Sequence, residues 1–437
     1  MVLVNGSKCD TQKLMMFSVI VISCCCIVTI HCNIIVDSNY IKALEKSPLL
    51  LSEPITEFTK NVYREISEDP GNKEKNIIAS PISIHSALSM LYYGSPKKTP
   101  TRLELSKALL LDSKPLINFK RSKYHFLNLF RYYENSGKEY NAVVNLANKV
   151  YLQEGFEAKD RYLKLLNQYF LTSAEILDFT NPSDAADHIN TFVKEKTNGL
   201  IDSIIQPSNI DALTKLILVN AIYFKAGWKY PFDPANTFDI PFTLLDGTEV
   251  VHEKGMEGEF NLRYGKSTKL NARILELPYT NPDLNMYIML PEKNDLESLD
   301  ALATTFDIDD ILTNLKYSPD ASIIVNIPAF QSTFQADMNG IIQELGAKSM
   351  FDVQNANFSL ISDEELFVGQ VLHKANIIVD EKGSEAAAVT GISLGVRGYP
   401  DADDQYFYVD RPFIYLIYDT KNKMPLFIGR MLDPRPI

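Results

Sequence analysis

The stretch that decides the fold is Glu381-Lys382-Gly383-Ser384-Glu385-Ala386-Ala387-Ala388-Val389-Thr390-Gly391. It opens a connection over residues 381–405, between the strand-like runs Ala375-Asn376-Ile377-Ile378-Val379 and Tyr406-Phe407-Tyr408-Val409. A connection of about 25 residues is long for a compact domain, and such segments are functional or disordered. Read with period two, one face carries Ser384, Ala386, Ala388, Thr390, Ile392, Leu394 and Val396, all uncharged and growing larger along the chain. The other carries Glu385, Ala387, Val389, Gly391, Ser393, Gly395 and Arg397. A strand presents such alternating faces, so the segment is able to enter a sheet without burying a charge. Its alanines suit a short helix equally well, and pattern alone leaves the two open.

Other stretches read plainly. Asn76-Ile77-Ile78-Ala79-Ser80-Pro81 is an apolar strand meeting a helix start, with Ser80 placed to cap and Pro81 in the first turn. The helix that follows is rich in small residues. Ile55 to Ile66 alternates like an amphipathic helix. Val144 to Leu152 reads as a strand, and Asp160 to Tyr169 as a helix. A further helix runs through Ala186 to Val193 and stops at Asn198-Gly199. Leu216-Ile217-Leu218-Val219-Asn220-Ala221-Ile222-Tyr223-Phe224-Lys225-Ala226-Gly227-Trp228 reads as a central strand covered on both faces. Its Asn220 is a polar residue that needs partners there. Leu275 to Tyr279, Met286 to Pro291, Arg411 to Tyr415 and Pro425 to Arg430 are further strands.

Together with Val371-Leu372-His373-Lys374-Ala375 before the loop, these stretches resemble the serpin family, from about Phe58 to the C-terminus. The resemblance implies an α+β fold: three β-sheets, a large central sheet A, about eight or nine helices and an exposed reactive centre loop over 381–405. It makes Glu381, Gly383, Ser384, Glu385, Ala386, Ala387, Ala388, Val389 and Thr390 the hinge of that loop. Counting along the loop as the family does, the scissile bond falls at Arg397-Gly398. By the same resemblance Ser80, Ser83, Asn220 and His373 lie beneath the gap where sheet strands separate, and Asn220 is partnered by Ser80 or Ser83 and by His373. Trp228, the only tryptophan, stands near the point where a loop first enters. Three positions depart from the family pattern: Lys382 replaces a usual acid, Val389 is bulkier than the common Ala or Thr, and Arg411 stands where His is frequent.

The implied function is inhibition. A trypsin-like protease, whose pocket carries a carboxylate, reads Arg397. Cleavage frees the hinge to insert into sheet A while the protease is tethered as an ester. The protein is then a suicide substrate and not an enzyme, and is expected to be monomeric. The competing class is a non-inhibitory serpin, a carrier, storage protein or chaperone. Such members carry bulky, charged or Pro residues at inward hinge positions, and this hinge has none there. In some serpins a helix near Lys114, Lys120, Arg121 and Lys123 binds heparin-like polyanions, which makes these four the candidate cofactor contact. A solvated helix face accounts for the same residues.

Composition agrees with a globular chain: 437 residues, 46% hydrophobic and 22% charged, without a linker or repeat. A net charge of −12 disfavours non-specific nucleic-acid binding. All five cysteines precede Asn33: Cys9, Cys24, Cys25, Cys26 and Cys32. Lys8 and Lys13 followed by the apolar run Leu14 to Ile30 read as a secretory signal peptide, an uncleaved anchor being the alternative. The expected organisation is a signal peptide over 1–32, an extension over 33–54 and one domain over 55–437, secreted. Such a domain holds no internal disulfide and is stabilised by packing. Asn357-Phe358-Ser359 is a glycosylation sequon. Asp401, Asp403 and Asp404 put acid after the scissile bond, fit for a basic protease surface or for solvent.

Enzyme signals fail. Gly391-Ile392-Ser393-Leu394-Gly395 matches a hydrolase nucleophile motif, which needs a later His, and the last of the six is His373. Tyr264-Gly265-Lys266-Ser267 lacks the first Gly of a phosphate loop, since Phe260 stands there. No histidine pair has metal-ligand spacing.

Overall fold

The computed structural model describes residues 18–23, 26–31, 51–112, 119–211, 213–316, 322–384 and 406–435. The chain divides into two units, residues 1–48 and 49–437. In the first, the described residues form an antiparallel hairpin of β1 (Ser18–Ser23) and β2 (Cys26–His31), inside the apolar run read as a signal core. No described helix is long and apolar enough to cross a membrane.

The second unit holds three sheets. Sheet A contains β4 (Val143–Gln153), β5 (Ala174–Leu177), β6 (Leu216–Gly227), β13 (Phe330–Asp337), β14 (Gln370–Asp380) and β15 (Gly383–Ser384), in the order β13-β14-β15-β6-β4-β5. Sheet B contains β3 (Ile77–Ala79), β9 (Tyr264–Ser267), β10 (Ala272–Pro278), β11 (Leu284–Pro291), β17 (Phe413–Asp419) and β18 (Met424–Met431), in the order β3-β18-β17-β11-β10-β9. Sheet C contains β7 (Thr237–Thr243), β8 (Glu249–Phe260), β12 (Ile323–Pro328) and β16 (Tyr406–Tyr408), in the order β16-β12-β8-β7. The described residues form nine α-helices: α1 (Ser52–Glu68), α2 (Pro81–Gly94), α3 (Pro100–Ala108), α4 (Phe119–Tyr140), α5 (Asp160–Leu165), α6 (Pro182–Lys196), α7 (Leu296–Thr305), α8 (Ile308–Asn314) and α9 (Asn339–Glu344).

Helix α1 begins at Ser52, before the Ile55 start read from the pattern, because Pro54 is tolerated in a first turn. Its Ile55, Phe58, Val62 and Ile66 are buried at helical spacing. The helix read over Asp160 to Tyr169 is α5 followed by a π-helical turn, Leu166–Phe170. Tyr264 to Ser267 is strand β9, not a phosphate loop. Every residue of α2 is buried, which places it under sheet A and against β18. The Ser80 hydroxyl does not cap α2; it donates to the Leu426 carbonyl of β18 at 2.8 Å.

The opposite face of sheet A is covered by α6 and the chain after it. Ala185, Ala186, Ile189 and Val193 of α6, with Ile201, Ile204, Ile205 and Ile210, pack on Ile217, Val219 and Ala221 of β6 and Leu372 of β14. Strand β6 is thus buried on both faces, as its apolar run predicts. The stop at Asn198-Gly199 holds, both residues having positive φ, 51° and 81°.

Candidate functional site

The site is the seam between β6 and β14. Their lower parts pair directly and in parallel, from Gln370 opposite Ile217 to Ala375 opposite Ile222. At the top a third strand separates them. Gly383 and Ser384 pair antiparallel with Asp380 and Val379 of β14, and with Gly227 and Ala226 of β6. Gly383 and Ser384 of the long connection are therefore already sheet, not loop.

A tight turn makes this fold-back. The Asp380 carboxylate accepts the Lys382 and Gly383 amides at 2.9 and 3.1 Å. Gly383 has φ of 153°, and a Cβ there would lie 2.3 Å from the Ala226 carbonyl oxygen, so only glycine fits. Ser384 is fully buried, and its hydroxyl bonds the Tyr279 hydroxyl at 2.7 Å. Trp228 stacks on Tyr279 with ring centroids 4.6 Å apart. Its indole N–H donates to the Asp380 carbonyl and its amide to the Lys382 carbonyl, each at 2.9 Å. The Glu381 carboxylate accepts the Thr237 hydroxyl at 2.8 Å, tying the turn to the start of β7 in sheet C.

Lower down, a buried polar cluster lies on the seam. His373 Nδ1 contacts Asn220 Oδ1 at 2.5 Å. The Asn220 amide donates to Ser83 Oγ and to Asn148 Oδ1, each at 2.5 Å. Asn148 in turn donates to Ser86 Oγ at 2.5 Å and to the Ser83 carbonyl at 3.2 Å. Since Asn220 Oδ1 only accepts, Nδ1 of His373 carries the proton, and Nε2 receives the Ser80 amide at 3.5 Å. The ring is neutral: burial pushes its pKa down to about 3. Ser80 therefore reaches Asn220 only through His373, while Ser83 bonds it directly. Asn148 and Ser86 were not singled out in the sequence; a polar residue at an inward position of β4 was the available signal.

Residues 385–405 lie outside the described residues, and with them Glu385, Ala386, Ala387, Ala388, Val389, Thr390, Arg397, Gly398 and the Gly391 to Gly395 motif. Lys114 also lies outside, and the side chains of Lys120 and Arg121 are not described. Lys123 sits over the Tyr169 ring at 4.0 Å. Asn357 is partly exposed in a turn, its Oδ1 accepting the Ser359 amide at 3.2 Å. Arg411 donates through Nε and Nη2 to the Pro291 carbonyl.

The comparisons agree with this architecture. A family model described as serpin (serine protease inhibitor) matches residues 53–434. Mouse neuroserpin is 32% identical over 395 residues, covering 87% of this chain and 91% of that protein. Native protease nexin-1, solved with heparin, superposes with a TM-score of 0.77 at 28% identity, covering 89% of this chain and all of that one. Human thyroxine-binding globulin, solved with its hormone, gives 0.78 at 26% identity over 89% of this chain. With three sheets, a strand-receiving seam and a family match across almost the whole second unit, the chain belongs to the serpin family.

Proposed function

We propose that this serpin is an inhibitor: a secreted suicide substrate of trypsin-like serine proteases, cleaved at Arg397-Gly398. The observation that carries the reading is β15. Two residues of the loop occupy the place of a new central strand, antiparallel to both neighbours. Continuing that register down the seam sets Ala386 between Ile377 and Phe224, Ala388 between Ala375 and Ile222, and Thr390 between His373 and Asn220. These are the inward positions, where only small side chains fit a close-packed layer. Thr390 would arrive at the buried His373–Asn220 pair. Its hydroxyl has one donor and two acceptor sites, enough to take the His373 proton bond and give one to Asn220. The cluster opens without orphaning a buried group.

The chemistry belongs to the protease. Its serine attacks the Arg397 carbonyl, the Gly398 amine leaves with the proton, and an ester joins Arg397 to the enzyme. The freed segment from Gly383 to about Val396 then adds to sheet A, a strand on the order of 45 Å long. The ester-linked protease is carried that distance, and its site is distorted before water reaches the ester. Residues 1–32 are read as the signal peptide of the secreted chain, Asn357 as its glycan acceptor, and Lys123 with its neighbours as the candidate polyanion contact. Binding of a small hormone, as in the globulin, is the alternative for a serpin; the small inward hinge residues favour inhibition.

Replacing Ser384 by Arg puts an unpaired charge where Tyr279 and Ala226 close around a fully buried hydroxyl. S384R is expected to be cleaved by trypsin without forming an SDS-stable complex; an undiminished complex on a denaturing gel contradicts insertion. R397A is expected to lose inhibition of trypsin-like enzymes at least about 100-fold, as removal of a paired charge costs several kcal/mol; unchanged inhibition displaces the scissile bond. A third outcome concerns pH. His373 is held neutral in the fold with its pKa lowered to about 3, against about 6.5 unfolded. A lowered folded value contributes stability that is full above about 6.5 and drains as pH falls towards 3. The urea midpoint should fall across that window, and H373Q should flatten part of the fall. An identical slope in H373Q removes His373 from the cause.

A further inference from the structure

We propose that the glycan on Asn357 lies down on an apolar patch of the protein's own surface and covers it; the inference rests on the secreted, glycosylated reading above. The patch is formed by Val353, Leu360 and Leu103, which are 62, 37 and 50% exposed. Val353 and Leu360 flank the acceptor, four residues before it and three after it. Leu103 belongs to α3, and α3 runs beside the acceptor: the Thr101 hydroxyl accepts the Asn357 amide at 3.0 Å and donates to the Asn355 carbonyl at 3.4 Å. Pro100, one turn before Leu103 on the same helix face, is exposed too.

The segment that carries the acceptor cannot fold the patch away. The Asp352 carboxylate accepts Asn355 Nδ2 at 2.6 Å and the Asp352 carbonyl accepts the Ala356 amide at 2.8 Å, closing the turn that holds Val353. The Leu360 amide donates to the Gly94 carbonyl at the end of α2 at 3.2 Å, and Lys159 donates to the Ser359 carbonyl at 2.8 Å. Phe358 and Ile361 are buried beneath. Pinned by α2, α3 and Lys159, the segment leaves its remaining apolar side chains in water. Scattered singly, such residues need no explanation; gathered round one acceptor, they mark a place where something sits.

The acceptor itself has the nitrogen to spare. Asn357 Oδ1 takes the Ser359 amide at 3.2 Å, while Nδ2 bonds no group among the described residues, so the fold loses nothing when a sugar occupies it. In the attachment step Nδ2 attacks the anomeric carbon of a sugar carried on a lipid diphosphate. The carbon–oxygen bond to the diphosphate breaks, the diphosphate leaves with the electron pair, and the amide gives one proton to a base. The first sugars are then tethered beside Val353 and Leu360, and their contact with the patch is intramolecular, at an effective concentration that favours them over a free partner. A pyranose ring has a face of C–H groups inside a rim of hydroxyls. Laid on Val and Leu methyls, that face leaves water while the rim stays wet.

The test uses the full chain secreted from a eukaryotic host. Glycosylated wild type is compared with S359A and N357Q, which lose the sequon through different residues, and with wild type whose glycan is removed enzymatically after folding. The readouts are binding of a fluorescent dye that seeks apolar surface, and sedimentation. Each unglycosylated form is expected to bind about two- to threefold more dye than glycosylated wild type. Adding L103S, V353S and L360S to S359A is expected to return the signal to the wild-type level, and the same three changes in the glycosylated chain to leave it unmoved. Equal dye binding with and without the glycan overturns the cover, as does an excess that survives the three serines. A glycosylated wild type that sediments as a dimer, and as a monomer with the three serines, overturns it too and gives the patch to a second copy. A secreted chain whose mass shows no glycan leaves the patch without its occupant and overturns the cover alone. A chain retained inside the cell sinks the secretion reading and the cover with it, a result separate from any difference in dye binding.

Discussion

The parallel pairing of β6 with β14 is the contact on which the rest of this molecule depends. Every other neighbour of these two strands in sheet A runs antiparallel. Parallel ladders are slightly less stable per residue, and a strand entering between β6 and β14 would replace one such ladder by two antiparallel ones. What holds the seam shut is local: six residue pairs, and the His373–Asn220 bond with Ser83 and Asn148 behind it. Breaking that bond without a substitute would cost about 1–3 kcal/mol for each buried group left unpaired. A strand entering there would have to replace the hydrogen bonds of His373 and Asn220.

The outer face adds a second restraint. The chain after α6 crosses from β6 to β13, its isoleucines packed on β6 and Leu372. Side chains of β13 and β14 fasten its backbone: Asn376 to the Leu200 carbonyl at 3.2 Å, Lys374 to Ser203 at 2.7 Å, Gln335 to Ile204 at 2.9 Å and Gln370 to Asn209 at 2.6 Å. A sheet that widens by one strand spreads by about 4.8 Å under this cover, so these bonds must shift as it opens. His188 of α6 also contacts the Glu175 carboxylate at 2.7 Å, and Lys149 of β4 meets the same group. The cover on this face thus ties β13 and β14 to the chain after α6 by side-chain bonds as well as by apolar packing.

Much of this was legible in the residues. The unbroken apolar run of β6 announced a strand covered on both faces, and Asn220 within it announced a polar cluster. The period-two pattern beginning at Ser384 fits the strand position that Ser384 takes, the rest of that face, Ala386 to Thr390, lying outside the described residues. What stayed hidden was pairing across long distances. Nothing near Tyr279 marks it as the partner of Ser384, 105 residues away, and nothing marks Asn148 as the base under Asn220. The Ser80 hydroxyl looked like a cap and serves β18 instead. The partial seating of Gly383 and Ser384 was invisible because local pattern reports what a segment can become, not how far it has gone.

The most direct measurement compares the melting temperature of the intact protein with that of the protein nicked at Arg397-Gly398 by a trace of trypsin. If the uncleaved chain is held short of its most stable pairing, the nicked form, with its loop laid into sheet A, melts well above the intact form. A nicked form that melts at the same temperature or lower contradicts a loaded seam.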